Sequence, residues 1–213
     1  MSLFKQRNFS LNINEDEITT RLLTNNYSIS FNSQLKRSKR DIRSKWGYGF
    51  SASFRHSPFE REFNLQQFGT QAYLLFPGLA KHHSILARGG VQLEPSIETL
   101  SFSSSIQYPR GYIYSPFETL YTGSAEYALP LWYPDFHIGK LVNFQRFKTN
   151  LFYDFGVGMN NDLNNYFNSV GLDFTADLNV FRLLPLLEVG IRTAYVPELN
   201  NFRYDLILNY IGY

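Results

Sequence analysis

Apolar and polar residues alternate over long stretches of this sequence. The alternation is clearest in 168–180, where the two kinds of residue interleave without a break. The apolar set is Val170, Leu172, Phe174, Ala176, Leu178 and Val180, and the polar set is Ser169, Gly171, Asp173, Thr175, Asp177 and Asn179. Successive side chains of a β-strand point to opposite faces, so the pattern predicts a strand with one apolar and one polar face.

The same alternation recurs along the chain and predicts nine strands, with a tenth candidate near 2–13. Clear examples are 26–36, 45–56, 147–158 and 202–211, and weaker ones are 66–76, 84–94, 121–131 and 186–196. Helical periodicity is convincing nowhere; 15–23 reads as one or two helical turns, or equally as a polar connection. The sequence therefore predicts an all-β, antiparallel fold, with 1–213 as a single domain.

Composition moves this prediction from a soluble sheet toward a membrane barrel. Aromatic residues make up 17% of the chain, with 20 Phe and 15 Tyr, yet the mean hydropathy is slightly polar at −0.26. A transmembrane barrel needs aromatic girdles at both interfaces and polar residues facing its lumen. The sequence has no run of about 18 apolar residues, so it predicts no transmembrane helix. We therefore predict an antiparallel transmembrane β-barrel surrounded by outer-membrane lipid.

A soluble β-sandwich binding module is the alternative fold, because its strands also alternate. The predicted polar faces are rich in Gly, Ser, Asn and Asp, whereas a solvated sheet favours long Lys and Glu side chains. Small polar side chains suit a crowded lumen, which favours the barrel.

Charge and residue types argue against several classes of function. Lys and Arg total 20 against 18 Asp and Glu, so the chain has no strong basic surplus and we predict no nucleic-acid partner. It contains no cysteine, which excludes thiolate metal sites and cysteine nucleophiles. The pair His82-His83 lacks a third ligand at a useful spacing, so a turn is favoured over a metal site. No nucleophile motif is recognisable, and we predict no enzymatic activity, no cofactor and no metal.

The longest irregular segment, 95–120, is the first candidate for a functional element. Pro95, Pro109 and Pro116 interrupt any strand ladder within it. Loops longer than about 12–15 residues are usually functional or disordered. The segment also contains Arg110, followed by a glycine that would let the backbone turn sharply.

Two carboxylates lie on predicted strands after this segment. Alternation places Glu126 on one polar face, and Asp154 on the next with Gly156. Because arginine offers a planar fork of donors matched to carboxylates, we expect Arg110 to pair with both. A carboxylate pair for acid–base chemistry is the other interpretation of Glu126 and Asp154, and a shared arginine explains them more economically.

Three motifs carry a resemblance to a known family. They are Tyr108-Pro109-Arg110-Gly111-Tyr112, Gly123-Ser124-Ala125-Glu126 and Phe152-Tyr153-Asp154-Phe155-Gly156. Together they resemble the bacterial surface antigen superfamily of outer-membrane barrels, the group of BamA and the two-partner secretion transporters. In that family an Arg-Gly-Phe/Tyr motif lies on a long loop folded into the lumen, and its arginine meets acidic residues of the inner wall. The resemblance implies a lumen motif of Arg110, Gly111 and Tyr112, with Glu126, Asp154 and Gly156 as its inner-wall partners.

The resemblance also implies an origin, a location and a function. The family barrel has sixteen strands, five of them after the long loop, and five strands are predicted here after 120. The first eight residues lack the apolar core of a signal peptide, so we expect the chain to be the C-terminal part of a barrel in a Gram-negative outer membrane. The implied function is assembly or translocation of client polypeptides, with other envelope proteins as further partners. The alternative is a structural barrel that anchors a separate N-terminal domain.

Overall fold

The computed structural model of the chain describes residues 5–13, 16–38, 40–57, 65–95, 101–134, 136–139, 142–161, 163–180 and 186–211. Within these ranges the backbone forms eleven strands and one 3-10 turn at Pro197–Leu199. The strands are β1 (Lys5–Ile13), β2 (Asp16–Gln34), β3 (Gly47–His56), β4 (Gln66–Pro77), β5 (Ser84–Leu93), β6 (Thr119–Trp132), β7 (Phe136–Ile138), β8 (Val142–Asn160), β9 (Leu163–Val180), β10 (Leu186–Val196) and β11 (Asn201–Ile211). No helix among the described residues is long and apolar enough to cross a membrane.

The strands form one antiparallel meander. Their order in the sheet is β1-β2-β3-β4-β5-β6-β8-β9-β10-β11, and the short β7 pairs with the start of β8. Each long strand thus lies beside its sequence neighbours, and β1 and β11 are the two edges of a sheet that does not close. The prediction of an all-β antiparallel fold is confirmed. The described strands make one sheet rather than the two facing sheets of a sandwich.

Each of the nine predicted strands, and the tenth candidate near 2–13, corresponds to a strand of the sheet. The interpretation of 15–23 as helical turns or a connection is wrong, because β2 already begins at Asp16 and pairs with β1. The β8–β9 hairpin is longer than the alternation indicated and continues to the pair Asn160↔Leu163. Backbone pairing requires no particular side chain, so a ladder continues past the end of an alternating pattern. The short β7 was not predicted.

The two faces of the sheet have opposite character, and the polar one is buried. On β9 the apolar Leu172 and Phe174 are 40% and 44% exposed, whereas Asp173 and Asp177 are 6% and 1% exposed. The sheet curves around its polar face, since side chains from β5 through β11 line one shared cavity. Among the described residues, more of the buried side chains are polar or charged than apolar. We call this concave polar side the inner face.

Candidate functional site

Two loops cover the inner face. One is the inner loop, residues 101–118, which follows β5; the other joins β2 to β3 and is described at 35–38 and 40–46. Amide and carboxylate side chains of the sheet accept hydrogen bonds from the backbone of the inner loop, which makes no strand ladder of its own. These bonds run from Phe102 N–H to Glu94 (2.7 Å), Gln107 N–H to Gln71 (2.7 Å), Arg110 N–H to Asp154 (2.9 Å) and Glu118 N–H to Asn160 (2.9 Å). The polar residues of the sheet therefore hold the loop against the inner face.

Glycines of the sheet make room for the apolar residues of the inner loop. A Cβ added at Gly158 would lie 2.6 Å from the Phe117 ring, and one at Gly156 would lie 3.0 Å from Pro109 Cγ. Phe117 belongs to a small buried cluster with Ile106 and Leu120. The loop can approach this closely because β8 presents hydrogen atoms rather than side chains at these two positions.

Arg110 lies at the centre of the site. Its Nε donates to Asp154 Oδ2 at 2.7 Å and its Nη2 to Asp154 Oδ1 at 2.7 Å, a two-pronged contact with one carboxylate. The same Nη2 lies 3.0 Å from Glu126 Oε1, and Nη1 lies 3.9 Å from Asp173 Oδ2. The Arg110 side chain is only 8% exposed. One buried cation of the loop thus interacts with acidic groups from β6, β8 and β9.

An aromatic ring forms the floor of this arginine site. The guanidinium carbon of Arg110 lies 3.7 Å from the centre of the Phe152 ring, and that of Arg192 lies 5.8 Å from it. Phe152 is 2% exposed on the inner face, where its neighbours in the alternation are polar. Gly171 leaves the space for the ring, because a Cβ there would lie 2.3 Å from Phe152 Cζ. A cation over an aromatic face gains further electrostatic stabilisation when both are desolvated.

Gly111 and Tyr112 fix the turn that follows Arg110. Gly111 has φ +87°, and a Cβ at this position would lie 2.9 Å from Val196 Cγ2. The Tyr112 hydroxyl hydrogen-bonds to the Glu198 carboxylate and accepts the Asn168 N–H at 3.1 Å. Burial, together with the bond to Glu198, raises the pKa of Tyr112 to about 12. The hydroxyl therefore stays protonated and ties the loop to β9 and to the turn before β11.

The β2–β3 loop reaches the same acidic cluster from the other side. Arg43 forms an ion pair with Glu126, so that carboxylate is shared between the two loops. Asp41 contacts His82 Nδ1 at 2.7 Å and accepts the Ser38 N–H at 3.2 Å. Burial by itself would raise the pKa of Asp41, but these hydrogen bonds outweigh it and hold the pKa below the usual value.

The arrangement around Arg110 suits holding a loop better than proton transfer. Burial lowers the pKa of Arg110, and the hydrogen bond and charge of Asp154 more than offset this, so the net shift is upward. Both Glu126 and Asp154 are engaged by arginine, and neither is free to act as a base. Beside them lies a cavity of ≈ 560 Å³ whose lining is mostly charged and polar.

The cluster around Arg110 contains residues predicted from the sequence together with residues that were not predicted. The structure brings together Arg110, Glu126 and Asp154, and puts Gly156 against Pro109 of the loop. Sequence reasoning assigned no role to Asp173, Phe152 or Arg43. Asp173 was visible on a polar face, and a lone aromatic among polar positions could have marked Phe152. Nothing in the sequence linked Arg43 to Glu126, which is 83 positions away.

Each histidine of the pair His82-His83 makes one polar side-chain contact, and His82 also meets the Tyr133 ring. His82 meets Asp41, and His83 Nδ1 lies 2.7 Å from the Tyr127 hydroxyl. The two histidines lie at the β4–β5 turn, where His82 adopts a positive φ of 67°. Among the residues that the structure describes, no group of three acidic or histidine side chains is placed to hold a metal ion.

Comparison of the chain with protein-family models, with curated proteins and with solved structures found no match.

Proposed function

We propose that this chain is the transmembrane part of an outer-membrane barrel of the surface antigen type, which assembles or translocates client polypeptides. The observation that carries the membrane proposal is the reversed polarity of the sheet. Leu206 and Tyr210 of β11 are 88% and 73% exposed, while Asp154 and Asp177 are 1% exposed. Large continuous apolar surfaces on a soluble protein are rare, and lipid is the solvent that favours them.

The charged inner face supports the more specific part of the proposal. Arg110 holds the inner loop across the concave side through Asp154 and Glu126, where the loop would restrict passage through a lumen. Ion pairs and hydrogen bonds hold much of the loop against the sheet, and such polar contacts can be exchanged for water when the loop is displaced. The motifs quoted above resemble those of barrels that move polypeptides, which is the reason for proposing a client rather than a small solute.

The membrane proposal is tested by asking whether the folded chain needs an amphiphile. We expect native β-structure, followed by circular dichroism, only in detergent or lipid vesicles, and aggregation after detergent is removed. A folded and monodisperse monomer in detergent-free buffer would contradict the proposal, because the outward apolar face would then be stable in water.

The transport proposal is tested in liposomes with Arg110→Ala and the parent. Without the arginine side chain the inner loop loses its ion pairs with Asp154 and Glu126, so we expect larger and less stable single-channel conductance and altered insertion of a model outer-membrane client. Lys81→Ala, which removes an exposed cation at the β4–β5 turn, is the control and should behave as the parent. If neither activity is detected, or if Arg110→Ala matches the parent in both, the mechanism fails and an anchoring barrel is favoured.

A further inference from the structure

A second, smaller cavity lies beside the loop site and is lined by three arginines and no acidic residue. Its volume is ≈ 260 Å³, and it lies between the β2–β3 loop and strands β4 and β5. Its polar lining is Arg37, Arg43, Arg88, Gln34, Ser44 and Tyr73. The three arginines also line the ≈ 560 Å³ cavity, so the two spaces meet at these cations.

Arg88 is the least satisfied of these cations. Within the part of the chain that the structure describes, its guanidinium has no hydrogen bond or ion pair, and it interacts with Glu126 and Asp154 only through space. Arg88 is half-buried and also lines the narrow space beside Pro109 and Asp154. An arginine that lines a cavity without a direct acceptor from the protein keeps guanidinium donors that a ligand can fill. A ligand with oxygen acceptors would supply what is missing.

Arg43 and Tyr73 offer further donors at the same place. Arg43 uses Nη2 for Glu126, while its buried Nη1 has no hydrogen-bond partner among the described residues. The Tyr73 hydroxyl accepts the Gln34 amide at 2.7 Å, which leaves its own proton for another acceptor. Ser44 donates to the other end of the same amide at 3.3 Å, so Gln34 is held in one orientation. Gln34 and Ser44 thus orient the Tyr73 hydroxyl as a donor, and in the described part of the chain they accept no hydrogen bond from the arginines.

We propose that this cavity binds a phosphate group. Arginine forks bind the oxygens of phosphate and carboxylate in pairs. A carboxylate has two oxygens, too few for the donors of Arg43, Arg88 and Tyr73, whereas a phosphate group presents oxygens in three dimensions. Glu126, the acidic partner of Arg43, is already shared with Arg110, so it does not neutralise the remaining arginines of the site. The group belongs either to a small phosphate compound or to a phospholipid headgroup.

The test is isothermal titration of sodium phosphate into the folded full chain in a non-ionic detergent, at low ionic strength. We expect one saturable site in the parent. Arg88→Gln should weaken it at least about tenfold, as loss of one charge-assisted hydrogen bond does, and Arg88→Lys should weaken it less. Arg203→Gln removes the same charge from an exposed position of β11 that lines none of the three cavities described, and should bind as the parent does.

A second titration with a short-chain phosphatidylglycerol, below its micelle concentration, identifies the source of the group. Tighter binding than inorganic phosphate, with the same dependence on Arg88, assigns a lipid headgroup; equal or weaker binding assigns a small phosphate compound.

Absence of a saturable site in the parent would overturn the proposal, as would equal weakening by Arg88→Gln and Arg203→Gln. Arg88 has no direct partner to lose, so its substitution should leave the fold intact, which circular dichroism checks. If Arg88→Gln does not fold, Tyr73→Phe takes its place and should weaken phosphate binding several-fold; unchanged binding would again overturn the proposal.

Discussion

On β9, the outward Leu172 and Phe174 are 40% and 44% exposed, while the inward Asp173 and Asp177 are 6% and 1% exposed. In a soluble sheet the exposures would be the other way round. The two faces of this strand are therefore stabilised by different means. In the proposed membrane setting, lipid covers the outer face. On the inner face, Asp173 and Asp177 are each paired with basic side chains, because a buried ion left alone is far costlier than a buried pair.

The largest effect is expected for Asp154→Ala on the inner face. The substitution leaves Arg110 without its two-pronged partner and removes the acceptor of the Arg110 N–H. We expect a loss of about 3–5 kcal/mol in the free energy of unfolding, measured by urea titration in lipid vesicles with tryptophan fluorescence. Asp205→Ala, which removes an exposed acid of β11, should cost less than about 0.5 kcal/mol. Equal losses of unfolding free energy for Asp154→Ala and Asp205→Ala would mean that burial of the Asp154 ion pair has no effect on stability.

Leu172→Arg tests the outer face of β9. A charged side chain facing lipid near the middle of a bilayer costs about 2–4 kcal/mol, whereas an exposed position in water tolerates the change within about 0.5 kcal/mol. We expect the larger cost in vesicles by the same fluorescence titration. A cost below about 0.5 kcal/mol there would place Leu172 in water and break the contrast between the faces.

Gly111→Ala measures how tightly the inner loop turns against the sheet. Gly111 combines φ +87° with a Cβ position 2.9 Å from Val196, whereas Gly139 has φ +58° and open space around its Cβ position. A left-handed alanine costs about 1–2 kcal/mol at either position. Gly111→Ala should therefore destabilise more than Gly139→Ala in the same assay, since only Gly111 adds a steric clash. Equal destabilisation would show that the loop moves away from Val196 at little cost.

The smallest effect is expected from the pH dependence of the β2–β3 loop. Because the pKa of Asp41 is lower in the folded protein than in the unfolded chain, its contribution to stability is present above about pH 4, the ordinary value for Asp. That contribution is lost as the pH falls through the folded pKa. Asp41→Asn should thus narrow the difference between urea midpoints measured at neutral and acidic pH. An unchanged pH profile in Asp41→Asn would contradict the assignment of this carboxylate.

Sequence reasoning predicted the strands well, because one local rule decides them. A side chain on β8 or β9 must face either the charged interior or the apolar exterior, and alternation records that choice at every second residue. The rule fails at strand ends, where apolar and polar residues do not alternate. Pairing with a neighbouring strand sets the start of β2 at Asp16 and the end of the β8–β9 hairpin. Alternation along one strand does not report such pairing.

Membership of the arginine cluster was predictable only for residues that belong to recognisable sequence motifs. Arg110, Glu126 and Asp154 could be grouped because alternation put both acids on polar faces after one long loop. Arg43 could not be grouped with them, since its partner Glu126 belongs to a strand that only the curvature of the sheet brings near. The same holds for Arg88 and Arg37, which meet around one cavity from β5 and the β2–β3 loop.

Alternation along the sequence is enough to predict an antiparallel sheet with one apolar and one polar face, and it singles out the loop that bears Arg110. Only the folded chain shows that the polar face is concave, that Phe152 lies beneath Arg110, and that three arginines line a cavity whose lining includes no acidic residue. The face of the sheet to which a side chain points depends only on that residue and its neighbours along one strand. Which charges meet across a concave surface depends on the registers and curvature of all the strands between them.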